Sequence, residues 1–534
     1  MKADDLRKIF LEFFKARGHT IIPSASLVPE GDPTLLFNVA GMVQFKQFYA
    51  SKGPIPFTRA ASVQKCLRAT DLEEVGRTIK HHTFFEMLGN FSFGDYFKNE
   101  AIEWAWEFIT EVVKLPKERL YVTVYHEDDE SERIWAERIG VDRDRIYRLG
   151  KEDNFWGPAG LTGACGPCSE IHFDLGRDVG CGREDCSPAC DCDRFVEVWN
   201  LVFPQFYQDE SGNLSPLERK GVDTGMGLEC LAMVCQGVSS TYDTDLLKPI
   251  CDFVRDEASL DSQEDRTTVA VRVIADHSRA LCFAIAEGVL PSNEGRGYVV
   301  RRILRRAVLR GLDLGIEEPF LYRVVGKVID VMGKAYPEIK AGAEKVALIV
   351  KSDEERFQRT LSRGMAIFRQ MLDEAAARES KMLSGQDVFK LYDTYGFPLE
   401  ITQELARSHG IEVDVEGFEK AMDDQRERAR QRSRIGKEAE TSEDMTSVPE
   451  NFVGYDRLEV PTVIVRIKRD GKEVEEASEG QEVAIELERT PFYPEGGGQV
   501  SDRGVIVGTA SACTVSHVRW IGGTVIEHHV RVDS

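Results

Sequence analysis

Strand-like and helix-like patterns alternate differently in three parts of this sequence, and this constrains the fold more than any other feature. Up to about residue 240, strand-like runs such as Tyr121 to Tyr125 alternate with helical periods, as in an α+β or α/β domain. From about 241 to 430 the strand patterns nearly vanish. After residue 450, period-two runs flank Asp470-Gly471, a pair typical of hairpin turns. We therefore predict three domains, over 1–240, 241–450 and 451–534.

Several local patterns refine this division. Apolar residues at helical spacing within Met1 to Thr20 predict an amphipathic first helix that ends near Gly18. A second helix is predicted over Ser352 to Glu379, with Ser352 and Glu355 as its capping box. Arg, Ser, Glu and Thr dominate Arg426 to Asn451, which predicts a linker.

Composition limits the classes of function. The 534 residues have a net charge of −23, so a nucleic acid could bind only at a local basic patch. No apolar run approaches the roughly 20 residues of a membrane-spanning helix, and no membrane span is expected. The 12 cysteines do not resemble a secreted disulfide framework, which favours a reducing cytoplasm.

The densest chemical pattern lies between Phe57 and Phe97, an aromatic-rich hairpin. Arg68 falls on or just after its first strand, and His81 and His82 open the second. Two interpretations stay open at this point. The hairpin is either a core element with a surface arginine or part of a ligand site.

Phe195 to Tyr207 predicts one long apolar strand. Strict alternation places Asn200 and Val202 on one face and Glu197 and Leu201 on the other. Because a buried Asn needs hydrogen-bond partners, a small polar ligand beside Asn200 and Val202 is reasonable.

A glycine-rich segment, Gly221 to Cys230, follows. Gly225 and Gly227 stand where a helical period begins, and glycines at a helix start bring backbone donors close to a phosphate. A lone Gly-x-Gly is weak support for such a site.

Two clusters of charged or sulfur-containing side chains complete the pattern. The segment from 296 to 310 concentrates arginines that form either a solvated helix face or a nucleic-acid patch: Arg296, Arg301, Arg302, Arg305, Arg306 and Arg310. Cysteines are dense from Cys165-x2-Cys168 onward. A zinc site or a group of reduced thiols is expected at Cys181, Cys186, Cys190 and Cys192.

Over its whole length the chain resembles alanyl-tRNA synthetases, which are class II aminoacyl-tRNA synthetases. The motifs that carry the resemblance are NVAGMVQFK, HHTFFEMLGNFSFGDYF, GPCSEI, VDTGMGLE, PSNEGRGYVVRRILRRA and LYDTYGFPLE. The resemblance implies an α+β fold in which a class II antiparallel sheet with flanking helices precedes a helical tRNA-recognition domain and an incomplete β-barrel. It also implies ATP-dependent activation of L-alanine and transfer to the acceptor stem of tRNA(Ala).

The resemblance implies roles for individual residues. The catalytic residues would be Arg68 and Asp223. ATP would contact Arg68, Phe85, Met87, Gly225, Gly227 and Cys230. Alanine would contact Trp156, Asn200, Val202 and Asp223. The tRNA would contact Asn293, Arg301, Arg305 and Asp393. Mg²⁺ is expected with ATP, its ligands unidentified, and neither DNA nor a membrane is expected as a partner.

Cys230 and the segment from Pro491 to Gly504 show how far the sequence follows the family pattern. Cys230 stands where the family pattern has an arginine that covers the adenine and contacts the outer phosphate. Pro491 to Gly504 resembles the opening of the family's editing module, whose zinc-binding His-x3-His motif would lie beyond Ser534, so a chain without the editing site is expected.

Three rival functions make different demands on the sequence. A standalone aminoacyl-tRNA hydrolase would need the His-x3-His motif. A class II paralogue that activates an amino acid for another purpose would not need the Arg-rich helix with Asn293 and Asp393. A pure RNA-binding module would not need Asp223 and Trp156.

Overall fold

The computed structural model describes most of the chain, in two units. The described residues are 1–30, 32, 34–50, 53–190, 192–260, 265–378, 380–395, 397, 399–423, 452–454, 457–469, 472–494, 501–509, 511–521 and 525–534. The two compact units are Met1–Ala366 and Ile367–Ser534, and each is described by itself. The predicted linker after Arg426 and the predicted turn at Asp470-Gly471 lie outside the described residues. The three domain boundaries stay predictions.

The first half of unit one is a mixed sheet with covering helices. Its strands are β1 Thr20–Ile21, β2 Arg59–Leu67, β3 Phe84–Phe93, β4 Leu120–Tyr125, β5 Ile146–Leu149, β6 Phe155–Trp156, β7 Gly163–Asp174, β8 Phe195–Val202, β9 Phe206–Gln208, β10 Leu214–Pro216 and β11 Gly221–Gly227. Its helices are α1 Ala3–Lys15, α2 Lys46–Ala50, α3 Lys98–Glu107, α4 Asp129–Arg133, α5 Lys151–Asn154 and α6 Leu228–Gln236.

The predicted first helix is confirmed as α1. Its buried face carries Leu6, Phe10, Phe13 and Phe14, and the Phe10 ring packs against Phe108 and against Trp199 of β8. The chain then turns at Gly18, whose φ of +81° lies in the left-handed region that glycine adopts readily.

The sheet runs in the order β1-β2-β3-β11-β8-β7-β4-β5, and β6 and β9 also pair with β7. The central strands are antiparallel, as expected, but the pairs β1–β2 and β4–β5 at the two edges are parallel. An entirely antiparallel sheet was therefore a wrong prediction. Each parallel pair is joined by a long crossover, which a parallel pair requires and which strand patterns alone do not reveal.

The single strand predicted over Phe195 to Tyr207 is wrong in one respect. It divides into β8 and β9, with Phe203, Pro204 and Gln205 between them. Pro204 has no amide hydrogen to donate to a sheet ladder, which accounts for the break. The predicted hairpin is confirmed, because β2 and β3 pair along their whole length and Arg68 N donates to Thr83 O at 2.9 Å where they end.

The region after residue 240 is helical, as predicted. Its helices are α7 Lys248–Glu257, α8 Asp265–Ala286, α9 Gly295–Asp313, α10 Leu321–Met332, α11 Pro337–Ala341, α12 Ala343–Ala377, α13 Gly385–Tyr395 and α14 Leu399–Ser408. The capping box at Ser352 and Glu355 was wrong, because α12 already begins at Ala343. Six of the nine residues from 343 to 351 are Ala, Leu, Lys or Glu, which are good helix formers and extend the helix in the N-terminal direction.

Unit two ends in a β structure, as predicted. Its short parallel pair is β12 Met382–Leu383 with β13 Glu412–Val413. The C-terminal antiparallel sheet has the order β15-β14-β16-β19-β18-β17, formed by β14 Ile464–Arg469, β15 Lys472–Val474, β16 Glu482–Leu487, β17 Gly504–Val507, β18 Ala512–Ile521 and β19 Val525–Val532. Among the described helices of the chain, none is long and apolar enough to cross a membrane.

Candidate active site

A cavity of about 310 Å³ opens over the central strands of the unit-one sheet. Every residue predicted to contact ATP or alanine lines it: Arg68, Phe85, Met87, Trp156, Asn200, Val202, Asp223, Gly225, Gly227 and Cys230. These residues come from segments up to 162 positions apart in sequence, from 68 to 230, and only the sheet order brings them together. The cavity falls in the size range of small-molecule sites.

Strand β3 presents Phe85 and Met87 to the cavity. The intervening Glu86 is fully buried on the other face, where Arg7 donates to it from Nε and Nη2 at 2.6 Å and the Tyr336 hydroxyl donates at 2.6 Å. Alternation along a strand requires this division. The buried ion pair on one face therefore fixes the strand that carries two cavity residues on the other.

Arg68 projects into the cavity from the end of β2. Its Nε donates to the backbone oxygen of Val39 at 3.0 Å. Its guanidinium carbon lies 5.0 Å from the Phe85 ring centre and 5.9 Å from that of Trp156. A fixed positive charge is thus held between two aromatic rings at the cavity wall.

Asp223 lies on β11, opposite Val202 of β8 and Phe91 of β3. Only 7% of the residue is exposed, and burial raises the pKa of its carboxyl group to about 7. A buried carboxyl group of this kind favours a cationic ligand, because a positive charge would restore the ionised form. The apolar Val202 side chain lines the cavity beside it.

The Asn200 side chain is held by a hydrogen bond to a residue of the neighbouring strand β7. Its Nδ2 donates to Glu170 Oε1 at 2.8 Å, and the other oxygen of Glu170 contacts His172 Nε2 at 3.1 Å. Within the described part of the chain, Asn200 Oδ1 is buried without a hydrogen-bond partner. The protein thus provides a partner for the amide nitrogen of Asn200, as the prediction of polar partners requires, but the described residues provide none for its oxygen.

Glu197 also lines the cavity, although strict alternation placed it on the opposite face from Asn200. The prediction was wrong because Trp199 pairs with Ile171 while Glu197 pairs with the next residue, His172, leaving Val198 as the extra residue of a β-bulge. The Glu197 side chain is exposed to the cavity, and desolvation by the surrounding protein, followed by the charge of Glu170, raises its pKa to about 7. Sequence spacing does not reveal a bulge, so this residue was missed.

Gly225 permits a close approach between β11 and β3. A Cβ on Gly225 would lie 2.9 Å from Met87 Sδ. Gly227 is the N-terminal cap of α6, and the Cys230 thiol faces the cavity from the first turn of that helix. Burial raises the pKa of Cys230 to about 12, so the thiol is neutral.

Other cavity residues were not predicted as site residues. Lys80 and His81 line the cavity just before β3. In the sequence, a basic pair next to an aromatic strand is the feature that could have indicated them as site residues. His82 also reaches the cavity, but Asp276 contacts its Nδ1 at 3.1 Å and Thr241 its Nε2 at 2.9 Å. His82 therefore joins the hairpin to α8.

The Arg-rich helix is α9, and its arginines are not a simple solvated face. Arg306 is buried and contacts His277 Nε2 at 3.1 Å. Arg305 lies 5.1 Å above the Phe357 ring. Arg301 donates to the exposed Asn293 and pairs with Asp353 at 3.5 Å. The side chain of Asp393 lies outside the described residues.

The cysteines separate into two groups. Cys165 and Cys168 lie on β7 and are buried, and burial raises the pKa of both thiols. In the part of the chain that the structure describes, the thiols of Cys181, Cys186 and Cys192 lie within 4.8 Å of one another, and Cys190 is outside this group.

Residues 5–534 match the family of class II (A) tRNA synthetases. The chain belongs to this family. Three curated relatives carry the name alanine–tRNA ligase. The relative from Pelotomaculum thermopropionicum is 51% identical over 95% of this chain, that from Carboxydothermus hydrogenoformans 49% over 100%, and that from Thermotoga maritima 50% over 100%.

The chain spans 58%, 61% and 62% of the lengths of these three relatives. A solved histidyl-tRNA synthetase from S. aureus overlaps 47% of this chain, with 74% of its own length covered, at 10% identity and a TM-score of 0.27. A score this low adds nothing to the family assignment. The family establishes the class II fold, a mixed central sheet with flanking helices.

Proposed function

We propose that this chain carries the aminoacylation activity of an alanine–tRNA ligase. The observation that carries the proposal is the pairing, in one cavity, of Arg68 with the buried Asp223 beside the apolar Val202 and Trp156. This arrangement matches the carboxylate, the ammonium group and the small side chain of alanine. The names of the relatives agree with it.

In the proposed first step, an oxygen of the alanine carboxylate attacks the α-phosphorus of ATP, and pyrophosphate leaves. Arg68 would stabilise the charge that develops on the α-phosphate, and the fixed geometry between Phe85 and Trp156 means that little reorganisation is needed. Asp223 would hold the alanine ammonium group. A hydroxyl at the tRNA 3′ end then attacks the carbonyl carbon, and AMP leaves.

The adenine would lie against Phe85 and Met87, with Gly225 and Gly227 leaving space for the nucleotide and Cys230 near it. The cavity also fits Mg²⁺, because Glu197 supplies a carboxylate and ATP supplies the remaining oxygens that this ion prefers. Mg²⁺ would neutralise phosphate charge.

The tRNA acceptor stem would be read by Asn293 and Asp393, with Arg301 and Arg305 of α9 as support. The contact from Arg301 to Asn293 orients an exposed amide at the start of α9, where it could meet base edges in a wide RNA minor groove. The C-terminal sheet would be part of a β-barrel editing module, and a cytoplasmic location is proposed for the chain.

The decisive experiment is amino-acid-dependent exchange of pyrophosphate into ATP with alanine, serine and glycine. We expect alanine to give the highest kcat/KM, and Asp223→Asn to raise the KM for alanine at least about tenfold. Because one methylene or hydroxyl is worth only about 1–3 kcal/mol, serine and glycine should give weaker but measurable exchange. Exchange with none of the three, or a preference for a larger amino acid, would overturn the proposal.

A further inference from the structure

A long loop joins β7 to β8, between Asp174 and Phe195. Its described residues form one short helical turn, Arg177–Val179, and otherwise only turns, bends and irregular backbone, and none of them is buried. Loops of this length without regular structure are uncommon in compact domains and are usually functional segments or linkers. At its base Arg194 donates to Asp174 from Nε and Nη2, both at 2.8 Å. The loop therefore begins and ends at a fixed ion pair but contains little apolar surface to order its centre.

Three thiols converge in the centre of this loop. Cys181, Cys186 and Cys192 have their sulfur atoms within 4.8 Å of one another, and the Cys186 and Cys192 sulfurs are 3.7 Å apart. Sulfurs at two corners of a tetrahedron around zinc are about 3.8 Å apart when each Zn–S bond is about 2.3 Å. A disulfide would need about 2.05 Å. The spacing thus matches ligands of one metal ion rather than a disulfide.

A fourth thiol is close by. The backbone N–H of Cys192 donates to Cys190 O at 2.8 Å, so the backbone of Cys190 lies next to a member of the group. The guanidinium of Arg183 interacts electrostatically with both Cys181 and Cys190. Cys190 is half-buried, and a change of its side-chain rotamer would be needed for it to act as the fourth sulfur ligand.

The sulfur ligands select the metal. Thiolates favour Zn²⁺ over Mg²⁺ and Ca²⁺, which prefer oxygen. A structural zinc site uses four ligands and contributes its binding free energy to ordering the segment that holds it. Because this loop has little apolar surface of its own, the binding free energy of a zinc ion would stabilise an ordered conformation of it. We propose that Cys181, Cys186, Cys190 and Cys192 bind one structural Zn²⁺ that orders the loop between β7 and β8.

The first test measures metal in the intact 534-residue chain, purified under reducing conditions without added metal. We expect roughly one zinc per chain by elemental analysis, and loss of nearly all of it in Cys186→Ser and Cys192→Ser. Cys235→Ser is the matched control, because this half-exposed cysteine lies on α6, outside the loop, and the variant should keep its zinc. A chain without zinc, iron in place of zinc, or equal zinc in all variants would overturn the proposal.

The second test separates metal binding from a failure to fold. Arg177, Arg183 and Arg194 are trypsin sites within the loop. Chelator treatment, or Cys192→Ser, should speed cleavage after Arg183 about tenfold or more while far-UV circular dichroism stays unchanged. Added Zn²⁺ should restore protection to the chelated chain but not to the variant. Cleavage that does not respond to chelator or zinc would contradict the proposed ordering of the loop.

Discussion

Met87 Sδ lies 2.9 Å from the position that a Cβ on Gly225 would occupy. The two residues face the cavity from the neighbouring strands β3 and β11, and the backbone N–H of Gly41 also approaches the same sulfur, at 3.2 Å. The shape of the proposed adenine side of the cavity is thus set by the absence of a side chain at position 225.

Gly225→Ala should displace the Met87 side chain into the space proposed for the nucleotide. Because methionine is flexible, the chain should still fold, and the KM for ATP should rise about tenfold, in line with a cost of about 1–3 kcal/mol for overpacking. Alanine-dependent pyrophosphate exchange at varied ATP measures this. Gly326→Ala is the control, since an added Cβ on this α10 glycine meets nothing within 4 Å. An unchanged KM for ATP in Gly225→Ala would place the nucleotide elsewhere.

Cys230→Arg should lower the KM for ATP or raise the rate of activation. A guanidinium contact to a phosphate is worth about 1.5–3 kcal/mol, which corresponds to a roughly ten- to hundredfold effect. Lys80 lines the same cavity and interacts electrostatically with Cys230, so it is the side chain best placed to replace the missing arginine.

A double-mutant cycle separates the two positions. Lys80→Met should impair ATP use strongly in the unmodified chain and weakly in Cys230→Arg, whereas Lys80→Arg should retain activity. Equal losses from Lys80→Met in both backgrounds would show that the two side chains act independently. No response to Cys230→Arg would mean that position 230 does not contact the nucleotide.

Asp223→Asn should stabilise the ligand-free chain, and more so at pH 8 than at pH 5. The pKa of Asp223 is raised from 3.8 to about 7 by burial, so its contribution to stability is present below pH 3.8 and is lost as the pH rises towards 7. The full shift corresponds to a destabilisation of at most about 4 kcal/mol at pH 8. Urea unfolding at both pH values checks this, and a stabilisation that is smaller at pH 8 would contradict it.

Asn293→Ala should slow alanine transfer to tRNA(Ala) about tenfold and leave pyrophosphate exchange nearly unchanged, because the residue is exposed at the start of α9 and does not line the cavity. Asp393→Ala is expected to behave in the same way. Glu294→Ala is the control, as this exposed neighbour makes no side-chain cap to the helix. Equal loss in both half-reactions would assign Asn293 a structural role.

Several elements were predictable because their patterns are local. The β2–β3 hairpin, α1 and the helical region after residue 240 follow from periods of two and 3.6 residues and from glycine positions. The residues expected around ATP and alanine could also be named from the sequence, because the family motifs are long and specific. In the structure these residues line one cavity. The roles of these residues stay predictions.

Other features depend on contacts that no local pattern shows. The bulge at Val198 turned Glu197 into the cavity, and the parallel edge pairs β1–β2 and β4–β5 depend on long connections. The arginines of α9 were expected to form either a solvated helix face or a nucleic-acid patch, yet Arg306 is buried against His277.

The sequence by itself determined the succession of a mixed, a helical and a β region, the family and the residue types available for chemistry, because periodicity and motifs are properties of neighbouring residues. Only the tertiary structure decided which side chains share a cavity, that Asp223 is buried enough to raise its pKa to about 7, and that three thiols converge in one loop. Burial and proximity arise from strand register and packing between distant segments, which local spacing does not encode.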